Sequence, residues 1–291
     1  MENLDVSIII VTYKTRDLTR RLLESIFRET KSVSFEVIVV DNNSADGSVE
    51  MIAKEFPGVE LLSNRENLGF AKANNQAITV AKGRHFLLLN PDTELFADAA
   101  ATLVKFADSH PNAAVVGPKI LNPDKTIQPS VLSFPTFCSS ALIMLKAHHF
   151  LCRLPCLQRY FLPDFNYEKS QTVDQVRGAA FLITKTARDQ IGKFDERFFI
   201  WFEEVDFCKR AKDRGLEVWY LAETSLIHHG AQSFNQLMTV TKQRLYNASL
   251  AKYMAKHRGI AAALGVKVLN IPSLSFAWVT GLLKIRRKKY A

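Results

Sequence analysis

The chain has 291 residues, of which 47% are hydrophobic, and a formal net charge of +9. That length and apolar share can bury a large core, as one big domain or as a domain with an appendage. The four cysteines (Cys138, Cys152, Cys156, Cys208) lack the paired spacing of a zinc site and read as buried thiols in a reducing cytoplasm. Met1–Asp5 has no basic leader pattern before the first strand signal, so no signal peptide is expected.

The charge is unevenly placed. Residues 1–223 hold 27 basic and 29 acidic side chains, whereas residues 224–291 hold eleven basic ones and no Asp or Glu. The body is near neutral, and the tail is suited to an anionic surface, either membrane or nucleic acid.

In chain order, Val6–Val11 is a continuous apolar run, followed by a helical pattern through Leu18, Leu22, Leu23 and Ile26. Phe35–Val40 is a second run ending at Asp41-Asn42-Asn43-Ser44, and a helix follows through Val49, Ile52 and Phe56. Val59–Leu62, a helix over roughly 71–81, and Phe86–Leu89 complete the alternation. Apolar strands joined by helices predict an α/β fold, a mostly parallel sheet with helices on both faces. Ligands of such sheets bind beyond the carboxyl ends of the strands, here Thr12-Tyr13, Asp41-Asn42-Asn43 and Asn90-Pro91-Asp92.

The middle, about 122–172, reads as irregular; its Val131–Leu145 stretch is uncharged but too short for a membrane span. After His229 the pattern is helical through Leu237, Val240, Leu245, Leu250 and Tyr253. The stretch Val268–Leu283, broken by Asn270 and Pro272 and followed by Lys284-Ile285-Arg286-Arg287-Lys288-Lys289, reads as a segment lying in a membrane interface.

Several residues are candidates for chemistry. Asp41 ends a buried strand, where a carboxylate either accepts the imide N–H of uracil or thymine or caps the helix starting near Gly47. Asn90-Pro91-Asp92 reads first as a turn, and second as a strand-end site for a hard divalent cation. Asn67-Leu68-Gly69-Phe70, with Asn74, opens a helix whose amides suit a phosphate or ribose, and neither a dinucleotide nor a P-loop fingerprint is present. Gly178-Ala179-Ala180 opens an apolar run. Glu203, Glu204 and Asp206 start a helical pattern, where acidic residues are also ordinary dipole partners. Phe198, Phe199, Trp201 and Phe202 precede them, supplying stacking surface and the desolvation that raises carboxylate basicity. His228 and His229 end a strand, and on a regular strand only one of the two faces a given site.

Six stretches in order, VSIIIVTYKTRDLTRRLLESI, FEVIVVDNNSADGS, NRENLGFAKANNQAI, FLLLNPDTEL, VDQVRGAAFLITKTARDQIGKFDERFFIWFEEVDFCKRAKDRG and IHHGAQSF, cover most of residues 6–234. Together they resemble the family 2 nucleotide-sugar glycosyltransferases, in particular the bacterial rhamnosyltransferase-like group. The resemblance implies a GT-A fold, a nucleoside-diphosphate sugar donor, a divalent Mg²⁺ or Mn²⁺ ion and inversion at the anomeric carbon. It implies a transferase domain over 1–234, split into a nucleotide-sugar half (1–121) and an acceptor half (122–234), with 235–291 as a basic helical segment.

Carried over by position, Asp41 matches the nucleobase-contacting Asp, and Asp92 the last Asp of the metal-binding DxD, whose first position is Asn90 here. The metal would rest on Asp92 plus His228, with Gly230 and Ser233 completing the histidine's pattern. Glu203-Glu204 stands where the family has Glu-Asp, which makes Glu204 the expected general base and Glu203 the alternative. Thr12, Tyr13, Asn43, Asn67, Gly69, Asn74 and Gly178 join the donor side, Trp201 and Phe202 the acceptor side.

The expected activity is transfer of a sugar, best L-rhamnose from dTDP-rhamnose, to a glycan or lipid-linked acceptor in cell-surface polysaccharide synthesis. The expected place is the cytoplasmic face of the plasma membrane. The alternatives are a different donor (UDP-glucose, UDP-galactose or galactofuranose), a sugar-nucleotide pyrophosphorylase, and a non-catalytic basic binder. The pyrophosphorylase needs a glycine-rich basic loop after the first strand, which Val11-Thr12-Tyr13-Lys14-Thr15 lacks. A nucleic-acid partner is not expected, because the basic tail is also apolar and carries no nucleic-acid motif.

Overall fold

The computed structural model describes residues 4–230 and 239–289, with side chains in the last helix as far as residue 281. Ser233 and Leu237 therefore lie outside the described residues, as do the side chains of Lys284–Lys289.

Seven elements alternate first: β1 (Val6–Thr12), α1 (Arg16–Glu29), β2 (Phe35–Asp41), α2 (Ser48–Glu55), β3 (Glu60–Ser63), α3 (Phe70–Val80) and β4 (His85–Leu89). There follow β5 (Thr93–Leu95), α4 (Ala99–Ser109), β6 (Ala113–Leu121), β7 (Val131–Leu132), α5 (Phe137–Met144) and α6 (Pro155–Phe161). The chain continues through β8 (Gln171–Thr172), β9 (Gln175–Val176), β10 (Ala180–Ile183), α7 (Lys185–Ile191), α8 (Glu203–Asp213) and β11 (Glu217–His228). Two helices close it, α9 (Thr239–His257) and α10 (Ile260–Lys289).

The main sheet runs β3-β2-β1-β4-β10-β6-β11-β5, with β8 on β11. β1 is parallel to β2 and β4, and β11 to β6, while β10 runs antiparallel between β4 and β6. Because β10 is reversed, its beginning at Gly178-Ala179 shares an edge with the carboxyl ends of the parallel strands: the Asn90 amide donates to the Ala179 carbonyl at 3.0 Å. β5 is reversed too, and pairs Thr93 with His228.

Alternate strand residues serve opposite faces, as the pleat requires. Ile9, Val11, Ile38 and Val40 pack with Ala73 and Ala77 of α3 and Phe207 of α8. Ile8, Ile10, Val37 and Val39 pack with Leu22, Leu23 and Ile26 of α1 and Leu103 of α4. The strands were legible because both faces are covered, which leaves them apolar throughout.

Three expectations are corrected. The middle is structured, with β7 paired to β9 and two helices, because its apolar residues pack rather than loop: Val131, Met144 and Leu157 are fully buried. The thiols are not all free and buried: α5 and α6 lie side by side and Cys138 is joined to Cys156, while Cys152 is exposed and Cys208 buried. Pro272 and Asn270 do not break the last stretch, which is one continuous helix. The buried Asn247 of α9 donates to Asn270 Oδ1 at 2.9 Å and Ser273 Oγ at 3.1 Å, satisfying polar groups that would otherwise disfavour packing α10 on α9. The part of α10 over Ile260–Gly281 is long and apolar enough by length and composition to cross a membrane, with mean hydropathy 1.5.

Candidate active site

The donor-side residues sit along one edge of the sheet. Asp41 is 2% exposed; its Oδ2 accepts the Ser44 amide at 3.0 Å, and its Oδ1 is buried with no hydrogen-bond partner. The N-cap of α2 is Gly47, which has no side chain to cap with, and the first helical amide, that of Ser48, donates instead to Asp46 Oδ1 at 3.0 Å. Asp41 is thereby free of the capping duty its position suggested. An orphaned buried carboxylate oxygen costs about 1–3 kcal/mol unless a donor reaches it. It lies on a cavity of about 700 Å³ with Arg16, Asn43, Lys54, Ser63 and Asn64.

Gly69 explains how this half meets the other. Its φ is +82°, and a Cβ there would stand 2.3 Å from the Phe199 carbonyl oxygen. The next amide, of Phe70, donates to that same oxygen at 2.7 Å. Asn67 Oδ1 shapes the approach by accepting the Gly69 amide at 2.9 Å. Thr12 and Asn74 turn inward: Thr12 Oγ1 bonds Thr15 and Thr19, and Asn74 donates to the Phe70 carbonyl. Both side chains are buried and support the edge from below. Tyr13 is half-buried, with the Lys14 ammonium 5.3 Å from its ring centre.

At the far side of the edge, His228 Nε2 lies 3.3 Å from Asp92 Oδ1. His228 Nδ1 sits 2.7 Å from Gln128 Oε1, and Gln128 is oriented by donating from Nε2 to Asn122 Oδ1. Nδ1, facing an amide oxygen, carries a proton, so a ring that is neutral when it takes up a metal turns the lone pair of Nε2, which is buried without a hydrogen-bond partner, toward the carboxylate. Two acceptors facing each other are reconciled by a cation between them, so this pair fits a divalent ion. No group of three or more metal-ligating side chains occurs among the described residues, so the remaining ligands would be substrate oxygens and water. His229 points elsewhere, 3.5 Å from Glu94.

Glu203 and Glu204 follow a strained turn. Trp201 and Phe202 have φ of +62° and +71°, and Phe202 ends the turn as the cap of α8. Such residues cost about 1–3 kcal/mol each. Burial offsets this: Phe198, Phe202 and Tyr253 are all at most 5% exposed in one cluster, each contributing about 1.5–3 kcal/mol. α9 adds direct ties, Ser249 Oγ to the Ile200 carbonyl at 2.7 Å and Lys252 Nζ to the Arg197 carbonyl. The acceptor expectation is corrected for Phe202, whose ring is buried against Tyr246 and Tyr253; Trp201 stays half-buried, edge-on to Tyr246.

The turn presents Glu204 beside Gly178, where a Cβ would lie 3.7 Å from its Cβ and Cγ. Gly178 precedes Ala179, which holds Asn90, two residues from Asp92. The start of β10 thus borders Glu204 through Gly178 and the Asn90-Pro91-Asp92 turn through Ala179. The Oε2 atoms of both glutamates are buried and unpartnered. Burial raises both carboxyls above their ordinary value; the neighbouring charge of Glu204 raises Glu203 further, while first-turn amides and Arg177 oppose the rise at Glu204. Of the two, Glu203 is held the further above its ordinary value.

Three contributors escaped the sequence reading, and a fourth, Asp206, was read there only as an acidic residue of a first helical turn. Gln128 orients His228 from a stretch with no local signal, and Tyr160 of α6 lies within electrostatic reach of Glu204 and Arg177. Arg177 directly precedes the glycine turn, a signal available in the sequence. Asp206, with no exposed surface, is held by Arg210, His257 and Lys256, tying α8 to α9.

The sheet order and the edge on which these groups gather define a GT-A glycosyltransferase. The chain belongs to glycosyl transferase family 2, whose sequence profile matches residues 7–155. It is 27% identical over 237 residues to the N-acetylglucosaminyl-diphospho-decaprenol L-rhamnosyltransferase of Mycobacterium tuberculosis, covering 78% of this chain and 76% of that one. It is 23% identical over 261 residues to rhamnosyltransferase WbbL of Escherichia coli, covering 87% and 94%. Among solved structures, the mannosyltransferase PcManGT of Pyrobaculum calidifontis in complex with GDP-Man and Mn²⁺ superposes with a TM-score of 0.58 at 16% identity, over 97% of this chain and 76% of that one.

Proposed function

We propose that this glycosyltransferase moves L-rhamnose from dTDP-rhamnose to a hydroxyl of a glycan or lipid-linked acceptor in cell-surface polysaccharide synthesis, with inversion. Residues 1–234 form the transferase domain. Residues 235–291 hold it at an anionic membrane, on the cytoplasmic face. The rhamnosyltransferase names of the two relatives favour the donor, and the N-acetylglucosaminyl-diphospho-decaprenol of the first favours a lipid-linked acceptor.

What supports the reading is that two groups border the start of β10: Glu204, a partly buried carboxylate with a raised pKa, beside Gly178, and the Asn90-Pro91-Asp92 turn, tied to Ala179 through the Asn90 amide and carrying the Asp92–His228 pair. Asp41 Oδ1 accepts the imide N–H of thymine, and Asn43 lines the cavity around that base. The Gly178 edge and Tyr13 border the donor's ribose and sugar, while Gly69, covered by the Phe199 carbonyl, joins the donor side to the turn before α8. Asp92 and His228 hold Mn²⁺ or Mg²⁺, which when bound neutralises charge on the donor's diphosphate. Glu204 takes the proton of the acceptor hydroxyl as that oxygen attacks the anomeric carbon and the nucleoside diphosphate leaves. Glu203, protonated beside it, lets Glu204 carry the single negative charge. Trp201 packs against the acceptor.

Thermal shift against dTDP-, UDP- and GDP-sugars, with and without Mn²⁺, tests the donor. Selective stabilisation by dTDP-rhamnose, larger with Mn²⁺, is expected, about a few kcal/mol when ligand far exceeds its dissociation constant. Equal stabilisation by UDP-sugars would remove the rhamnosyl assignment and leave the transferase.

A further inference from the structure

We propose that residues 137–161 and the outward face of α10 form one docking surface for an anionic phospholipid monolayer, bordering the mouth through which the acceptor reaches Glu204. The inference rests on the membrane part of the reading above and extends it to a second element, distant in sequence from the tail.

Twelve of the sixteen exposed large apolar side chains among the described residues fall in these two segments. On α10 they are Ile260, Leu264, Val268, Ile271, Phe276, Trp278 and Val279, and the spacing of 260, 264, 268 and 271 marks one helical face. The opposite face, Ala263, Val266 and Ala277, is buried. In the other segment, Phe150 is 88% exposed and is followed by exposed Leu151 and Leu154. Contiguous exposed apolar surface of this kind marks an interaction site.

The two segments meet. The Phe137 ring of α5 lies so close to Gly265 of α10 that a Cβ there would stand 2.4 Å from it. They also share a charge pattern. All 29 acidic residues of the chain lie outside 125–163 and 224–291, while Lys146, Arg153, Arg159 and Lys267 lie within. An apolar face set among basic residues and free of acidic ones complements anionic headgroups over acyl chains. A second copy of the chain would set basic face against basic face, and a nucleic acid has no use for so much apolar surface. The site is adjacent: Tyr160, on α6 beside exposed Phe161, lies within electrostatic reach of Glu204 and Arg177. An acceptor anchored in that monolayer meets the base without leaving the lipid.

Cys152 provides a reporter, since it is exposed between Leu151 and Arg153 while Cys138 and Cys156 are bonded and Cys208 is buried. The full chain, labelled at Cys152 with an environment-sensitive fluorophore, is mixed with phosphatidylglycerol-containing vesicles or with pure phosphatidylcholine vesicles. A blue shift with the anionic vesicles alone is expected. The double substitutions Phe150→Ser with Leu151→Ser, and Ile271→Ser with Trp278→Ser, should each weaken vesicle partitioning about ten-fold or more and leave nucleotide-induced thermal stabilisation unchanged. Vesicle pelleting with an unshifted probe and unaffected Phe150/Leu151 variant would overturn the inference, because the tail alone would then dock. A shift that follows protein concentration without lipid would also overturn it, in favour of a second copy. Absence of vesicle binding would sink both this inference and the membrane assignment, while nucleotide stabilisation would still report on the transferase reading.

Discussion

The donor edge and the catalytic turn reach their geometry by different means. Asp41 is paired on both sides, to Thr12 and Ser63, while Asp92 and Gly178 lie just off strand ends, the first accepting the His229 amide at its carbonyl and the second beside the Asn90–Ala179 bond. The turn at 198–206 has no strand to hold it and contains two consecutive left-handed residues. It is held from outside, by α9 through Ser249, Lys252, Lys256 and His257, and by Gly69-Phe70 through the Phe199 carbonyl. The residues proposed for recognition thus stand on or beside sheet strands, and the proposed base on a braced, strained turn.

Perturbing each region separately tests that division. The largest effect is expected at Glu204→Gln, where loss of the base lowers kcat by about 10²–10⁴ and leaves the donor dissociation constant within about two-fold. Unchanged turnover would remove Glu204 from the role. Next, Asp92→Asn should abolish the Mn²⁺-dependent part of donor stabilisation in thermal shift while the chain stays folded; metal dependence that survives would relocate the ion. Third, His257→Ala removes one of three side chains that hold the buried Asp206, the others being Arg210 and Lys256, and should destabilise the fold by about 1–3 kcal/mol in denaturant titration. Its signature beyond stability is a fall in kcat with nucleotide affinity unchanged, since α9 braces the turn and not the donor edge. Equal loss of both would mean that the two regions are not independent.

The same division sets what could be read from the sequence. β1 to β4 announced themselves as apolar runs, and the residues just past them were placed because a strand end is a local property. Asp41 was located this way, and the structure takes from it the first amide of α2, which donates to Asp46. The turn was half legible. Acidic residues after aromatics gave Glu203 and Glu204, but no local pattern says that the Phe202 ring points inward or that His257, fifty-one residues after Asp206, completes its charge pairing. Nor did the reading separate helix from loop in 137–161: α5 is apolar on all sides, and its place is set by the crosslink to α6 and by packing against α10.

The smallest expected effect falls on the pair of glutamates itself and separates their roles. Glu203 has its carboxyl raised well above 4.5 by burial and by the charge of Glu204. The folded state therefore holds a proton there that the unfolded chain releases as pH passes 4.5. The contribution of that proton to stability is complete below 4.5 and is lost as pH rises through the folded-state value. Gln at position 203 mimics the neutral acid and cannot ionise. Glu203→Gln should match wild type in melting temperature near pH 4.5 and gain on it progressively toward alkaline pH, by scanning calorimetry across that range. The acid limb of its kcat profile should remain that of Glu204, with a midpoint above 4.5 because burial raises that group as well, and shifted down from wild type if the Glu203 carboxyl carries any charge there. A melting difference that does not vary with pH would mean that Glu203 ionises as freely in the fold as out of it, and the single-charge arrangement that singles out Glu204 as the base would fail.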